Sequence, residues 1–140
     1  MSISVVASRF FDEVFSEGKL DLVDELFAID YVGHPSGYEE PICGPEGVKK
    51  YVGGLRGAAS DFTVKVEDQV VEGDKVVTRW TAQGTHDGEL MGIAPTGRKV
   101  TVAGITIQRL QDGKVVEAWT SWDLMGMFEQ LGVAPGLRQR

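Results

Sequence analysis

Asp123 closes a strand-like run, Asp112–Asp123 (DGKVVEAWTSWD), and follows two tryptophans, Trp119 and Trp122. Side chains alternate across a strand, so counting from Val115 puts Glu117, Trp119, Ser121 and Asp123 on one face. A carboxylate beside apolar surface is disfavoured in its charged form. Its pKa rises toward the range in which an Asp serves as general base or acid near neutral pH. The competing use is structural. Asp is a favoured helix N-cap, and Asp123 directly precedes the apolar segment Leu124–Leu131. The only histidines, His34 and His86, add groups that can hydrogen-bond a carbonyl or move a proton, though each also reads as a solvent-facing loop residue. Two histidines without spaced carboxylate partners make no metal motif, and no metal is expected.

The elements that must position these groups fall into two halves. Ile3, Val6, Ala7, Phe10, Phe11, Val14 and Phe15 recur at helical spacing, and Gly18 stands where that helix should stop. A short second helix carries Leu22, Val23, Leu26 and Phe27, and leads into a short strand at Tyr31–His34. A third helix starts near Gly44-Pro45, with Val48, Tyr51, Val52 and Leu55 as its buried stripe. The remainder alternates as strands. Phe62–Glu72 and Lys75–Thr85 flank Gly73-Asp74, and Val100–Leu110 and Lys114–Asp123 flank Asp112-Gly113, which predicts two hairpins. His86–Gly97 is a long connection of the kind that is functional or mobile, and Leu124–Leu131 is a last short helix ending at Gly132. Helices first and antiparallel strands afterwards indicate an α+β fold in one domain, residues 1–140.

Bulk properties exclude several classes of function. The chain has 140 residues, 42% hydrophobic and 25% charged, which suits one globular domain with a real core. A net charge of −7 argues against nucleic acid and against an anionic membrane surface. The N-terminal MSISVVASRFFDEVF lacks the basic leader and unbroken apolar core of a signal peptide. A single cysteine, Cys43, permits no intrachain disulfide. Together these predict a cytoplasmic protein.

The series EGKLDLVDELFAIDYVGH, GPEGVKKYVGGLR, VEDQVVEGDKVVTRWTAQGTHDGELMGIAPTGRKV and DGKVVEAWTSWD resembles the SnoaL-like polyketide cyclases, also called ester cyclase-like proteins, of the nuclear transport factor 2-like superfamily. The resemblance covers nearly the whole chain. It implies a cone-like α+β barrel, with three N-terminal helices packed on a strongly curved, mostly antiparallel sheet around an apolar pocket. It also implies an Asp at the end of the last strand as acid/base residue for an intramolecular aldol closure, without metal or organic cofactor. Asp123 matches that Asp in motif context. The chain departs from the founding cyclases in having no His on the strand Val100–Leu110.

On this footing Asp123, His34 and His86 are the catalytic candidates, with His34 at the pocket mouth and His86 opening the loop that should cover it. Alternation in Lys75–Thr85 puts Val76, Thr78, Trp80, Ala82 and Gly84 toward the pocket. Trp80 and Trp119 then become flat walls for an aromatic or polycyclic ligand, with Phe11, Phe15, Tyr51, Leu55 and Met91 as further lining residues. Val116, Ala118, Thr120 and Trp122 fall on the opposite face. By the family's habit that face predicts a homodimer through the outer side of the sheet. The expected activity is cofactor-independent acid/base chemistry on an apolar carbonyl or ester substrate, ending in aldol-type ring closure. The alternatives are a ligand-binding or accessory protein without turnover, and an epoxide-opening hydrolase or cyclase on the same fold.

Overall fold

A computed structural model describes residues 2–133. Helix α1 (Ile3–Arg9) is N-capped by Ser2, whose hydroxyl accepts from the Val5 N–H, and it widens into a π-helical stretch over Phe10–Ser16. The wider turn keeps Phe10, Phe11, Val14 and Phe15 all buried, which the helical spacing anticipates without revealing the change of pitch. Gly18, at φ +79°, ends it. A 3-10 turn (Leu20–Leu22) and α2 (Val23–Leu26) follow, and then the chain extends into β1 (Phe27–Pro35), a longer strand than its sequence suggests. The two-residue β2 (Ile42–Cys43), too short to read from pattern, feeds α3 (Gly44–Gly57), with Pro45 in its first turn.

The strands β3 (Thr63–Glu72), β4 (Lys75–Thr85), β5 (Lys99–Gln111) and β6 (Lys114–Trp122) form an antiparallel meander, and α4 (Leu124–Leu131) closes the described chain. Sheet order is β2-β1-β6-β5-β4-β3, with β1 parallel to β6, so the curved sheet is open and has β2 and β3 as its edges. Asp112 and Gly113 both take positive φ (53° and 79°), as a two-residue hairpin with an Asp-Gly turn requires. The helices lay Phe10, Phe11, Val14, Phe15, Val23, Leu26, Val48 and Val52 against Val64, Val76, Trp80, Leu110 and Val115 of the sheet. A second, smaller cluster gathers Val102, Met127 and Leu131 where α4 folds back on β5. Among the described residues no helix is long and apolar enough to cross a membrane.

One irregularity decides which residues face the interior. In the β5–β6 ladder Leu110 pairs with Val115, but the next rung joins Arg109 to Glu117, so Val116 is an extra residue on β6. A bulge of this kind reverses the alternation beyond it. Val115 points inward, and so do Ala118, Thr120 and Trp122, which pair with the inward Gln108, Thr106 and Gly104. Glu117, Trp119 and Ser121 are turned to the convex side. The parity expected from unbroken alternation is therefore inverted over the second half of the strand. The face assigned above to subunit contact is, at Ala118, Thr120 and Trp122, the lining of the core.

Candidate functional site

Asp123 shares the outward sense of Ser121 and is exposed. Its carboxylate caps α4, accepting from the Gly126 N–H at 2.9 Å, while its own N–H donates to the Ala103 carbonyl at 3.1 Å. The expectation of an inward carboxylate on apolar surface is corrected: Asp123 stands outside the walls of both internal cavities, in the capping role. Trp119 is corrected likewise. It is 37% exposed on the convex face and stacks on His34, ring centroids 5.9 Å apart. His34 Nε2 lies 3.0 Å from Glu117 Oε2, and Arg109 Nη2 donates to Glu117 Oε1 at 3.1 Å. These partners hold the Glu117 carboxyl below its usual range, the His34 hydrogen bond first and Arg109 second. The His34 imidazole is thus committed to a surface ion-pair cluster, although its residue borders the second cavity. Met91, 40% exposed at φ +50°, lines neither cavity.

The first cavity, about 80 Å³, lies between α3, the concave faces of β4 to β6, the loop after β4 and α4. By the space one ordered water occupies, it holds roughly five of them. Phe15, Tyr51, Leu55, Trp80 and His86 line it, all anticipated from sequence, and so does Trp122, which was not. Its wall is apolar apart from a few polar groups. His86 is 3% exposed. The Thr96 N–H donates to its Nδ1 at 3.2 Å, and the Thr96 hydroxyl lies 3.0 Å from the same nitrogen. The Arg98 N–H donates to that hydroxyl oxygen at 3.2 Å, which leaves its proton for His86 Nδ1. A ring nitrogen that accepts twice carries no proton, so in the neutral ring the proton sits on Nε2. His86 Nε2 and Trp122 Nε1 are both buried, and neither has a protein partner. With no protein acceptor, each of these N–H groups is left for an ordered water or a ligand oxygen in the cavity to pair, and leaving it unpaired would cost about 1–3 kcal/mol.

The loop is anchored for this purpose. The His86 N–H donates to the Arg98 carbonyl and the Gly97 N–H to the His86 carbonyl, both at 2.8 Å, closing residues 86–98 at their base. Asp87 ties the same corner to α3's exit through Ser60.

A second cavity, about 40 Å³, shares Phe15, Tyr51 and Trp80 with the first and continues toward β1. Phe10, Phe11, Tyr31, Thr106, Gln108 and Thr120 also line it. The Trp80 indole N–H donates to Thr106 Oγ1 at 2.9 Å, and Thr106 Oγ1 lies 3.0 Å from Thr120 Oγ1. Burial pushes the Tyr51 and Tyr31 phenols up, so both stay neutral hydroxyls. Gln108 is 1% exposed, and its Oε1 has no partner. Sequence reasoning missed Gln108 although its signal was present. Counting by two through Val102, Gly104, Thr106 and Leu110 places a lone amide on the apolar face.

Comparison with known proteins follows the same outline. The family described as SnoaL-like polyketide cyclase matches residues 5–131. Nogalonic acid methyl ester cyclase of Streptomyces nogalater is 32% identical over 120 residues, 84% of this chain and 89% of that protein. An aklanonic acid methyl ester cyclase of Streptomyces peucetius is 30% identical over 134 residues, 94% of this chain and 92% of that one. Among solved structures, IdmH of Streptomyces antibioticus, a candidate polyketide cyclase, superposes with a TM-score of 0.81 at 35% identity, covering 95% of this chain and 100% of that one. A candidate SnoaL-like polyketide cyclase from Jannaschia gives 0.86 at 27% identity, over 95% and 93%.

Proposed function

The chain belongs to the SnoaL-like polyketide cyclase family, and from that premise we propose that it closes a ring in an apolar, polyketide-like keto ester held in the first cavity. The observation that carries this reading is the pair of buried N–H donors, His86 Nε2 and Trp122 Nε1, which lack acceptors in an otherwise apolar chamber. Groups of this kind stabilise the negative charge that develops on a carbonyl oxygen when carbon attacks its carbon. A 1,3-dicarbonyl segment presents the nucleophile as its enol. The enol carbon bonds to the ketone carbon, the ketone π pair moves onto oxygen, and the enol proton ends on that oxygen. No atom enters or leaves, so the product is an isomer of the substrate. The imidazole, with Nδ1 accepting from the Thr96 N–H and Nε2–H toward the oxygen, acts as an electrophile. Phe15, Trp80 and Leu55 exclude water, which strengthens each hydrogen bond to the developing charge.

The experiment is incubation with the methyl esters of nogalonic and aklanonic acid, the compounds named by the two relatives. The expected result is a chromatographically new product of unchanged mass. Trp122→Phe, which removes the N–H together with part of the ring, should slow its formation by at least about 10²–10³-fold. No isomer from either ester, or an undiminished rate in Trp122→Phe, overturns the reading. A second reading is favoured by one feature, the lack of a carboxylate among the residues lining the two cavities. The same chamber can hold a carbonyl compound without turning it over. Tight binding of the esters with no new isomer selects that alternative.

A further inference from the structure

His86 is the middle of a five-residue run, 84–88, and the exit of α3, residues 57–61, grips that run on both sides of it. Thr85, one residue before, gives its N–H to Asp61 Oδ1 at 2.7 Å and its hydroxyl to Asp61 Oδ2 at 2.9 Å. Asp87, one residue after, returns the arrangement. Its carboxylate takes the Ser60 N–H at 2.9 Å and the Ser60 hydroxyl as well. The β3–β4 ladder accounts for the first clasp. Its outermost rung joins Thr63 to Gln83, and two residues further Asp61 stands opposite Thr85 with a carboxylate in place of a backbone acceptor. Between the clasps, the Asp87 and Gly88 N–H groups both donate to the Ala58 carbonyl at 3.0 Å. Two glycines permit this approach. A side chain at Gly84 would collide with the Ala59 methyl, and one at Gly88 with the Gly57 carbonyl.

This seam is a wall of the first cavity, since Ala58, Ala59, Gly84 and His86 all line it, whereas Asp61 and Asp87 stand outside it. Neither carboxylate can touch a substrate there. Resting on the reading of His86 Nε2–H as donor to the substrate carbonyl, we infer that Asp61 and Asp87 are positioning residues, which through Thr85 and Ser60 hold His86 with that donor in the first cavity. Both carboxyls lie below their usual range, Asp61 held first by the Thr85 N–H and Asp87 first by the Ser60 hydroxyl. At neutral pH both are therefore the acceptor-only form, able to take two donors each. On the opposite side the His86 backbone is fixed by Arg98 and Gly97, so the residue is held from both directions. A displacement of about 1 Å in a reacting group can lower a rate about 10²-fold, which is the reason to fix the backbone of a donor so firmly.

Asp87→Ala removes one clasp. Asp87→Asn keeps it, because the amide oxygen still accepts from the Ser60 N–H and the amide N–H can be given to the Ser60 hydroxyl. Turnover of the methyl esters should fall about 10- to 100-fold in Asp87→Ala, in kcat rather than KM, and recover in Asp87→Asn. The sharper comparison repeats Asp87→Ala in a His86→Asn background, where the shorter amide oxygen stands in for Nδ1 and nothing remains at Nε2. A residue that acts through His86 should lower turnover no further there. An equal loss in both backgrounds, or a loss that Asp87→Asn does not restore, overturns the inference. Spectra separate it from the carbonyl reading. Proton–nitrogen correlations of the His86 ring should show one state in the wild type and a second state in Asp61→Ala and in Asp87→Ala. A ring unchanged in both variants overturns the inference even if no ester is turned over. A second ring state with undiminished turnover supports the clasp and counts against the carbonyl reading of the first cavity instead.

Discussion

Gly104 of β5 faces the indole of Trp80, and a methyl group at that position would overlap the six-membered ring. Gly104 also pairs directly with Trp122, so this one missing side chain leaves room for both cavity tryptophans on the concave face. Gly104→Ala should therefore cost about 1–3 kcal/mol through overpacking, because the neighbour that must move is a buried ring held by a hydrogen bond. Urea unfolding measures it. A variant with the wild-type midpoint would show that Trp80 is free to shift, and that the wall it forms in both cavities is not fixed.

The tautomer of His86 is directly observable. Two donors converge on Nδ1, so long-range proton–nitrogen correlation spectra at neutral pH should show Nδ1 as the unprotonated nitrogen and Nε2 as the protonated one. Binding of a carbonyl probe should then shift the Nε2–H proton and leave that assignment unchanged. A proton found on Nδ1 would take away the donor that the proposed chemistry needs.

Much of the architecture is legible in the sequence because it rests on local signals. The Asp112-Gly113 turn, the stripe Val48, Tyr51, Val52 and Leu55, and the inward set Val76, Thr78, Trp80 follow from turn chemistry and periodicity. The orientation of β6 does not. Its bulge at Val116 has no marker in the residues themselves, since DGKVVEAWTSWD alternates plausibly in either parity, and only pairing with β5 decides between them. That single residue moved Trp122 into the cavity and Trp119 and Asp123 out of it. His86 was legible as a candidate by residue type. Its burial depends on Thr96, Gly97 and Arg98 folding back over it, contacts that no local pattern foretells.

Glu117 gives the convex face a pH dependence of known sign. Its carboxyl is held below the ordinary 4.5 by His34 and then by Arg109. A depressed folded-state pKa contributes stability that is present above the unfolded value and is lost as pH falls through the folded one. Wild type and Glu117→Gln should thus differ in thermal midpoint at neutral pH and converge below pH about 4.5, the wild type losing the more. High salt should narrow the neutral-pH gap, since the cluster is open to solvent. A gap that stays constant from pH 7 to pH 3 would show that the ion pair contributes nothing.

Asp123 separates capping from catalysis more sharply than any other position. As the N-cap of α4, its carboxylate serves one backbone N–H, that of Gly126, and Gly126 is glycine for a reason: a side chain there would collide with that carboxylate. Asn caps nearly as well as Asp, whereas Ala supplies no acceptor. Asp123→Ala should therefore lose about 1 kcal/mol of stability and loosen α4, which carries Met127 of the first cavity's wall. Asp123→Asn should keep both stability and ring-closing activity close to wild type. A general base would behave otherwise. Its amide replacement would lower turnover by about 10²–10⁴-fold with stability unchanged. Turnover of the methyl esters measured beside thermal midpoints for the two variants distinguishes these patterns. A collapse of activity in the well-folded Asp123→Asn would restore the carboxylate to the chemistry and require α4 to swing its N-terminus into the cavity during reaction.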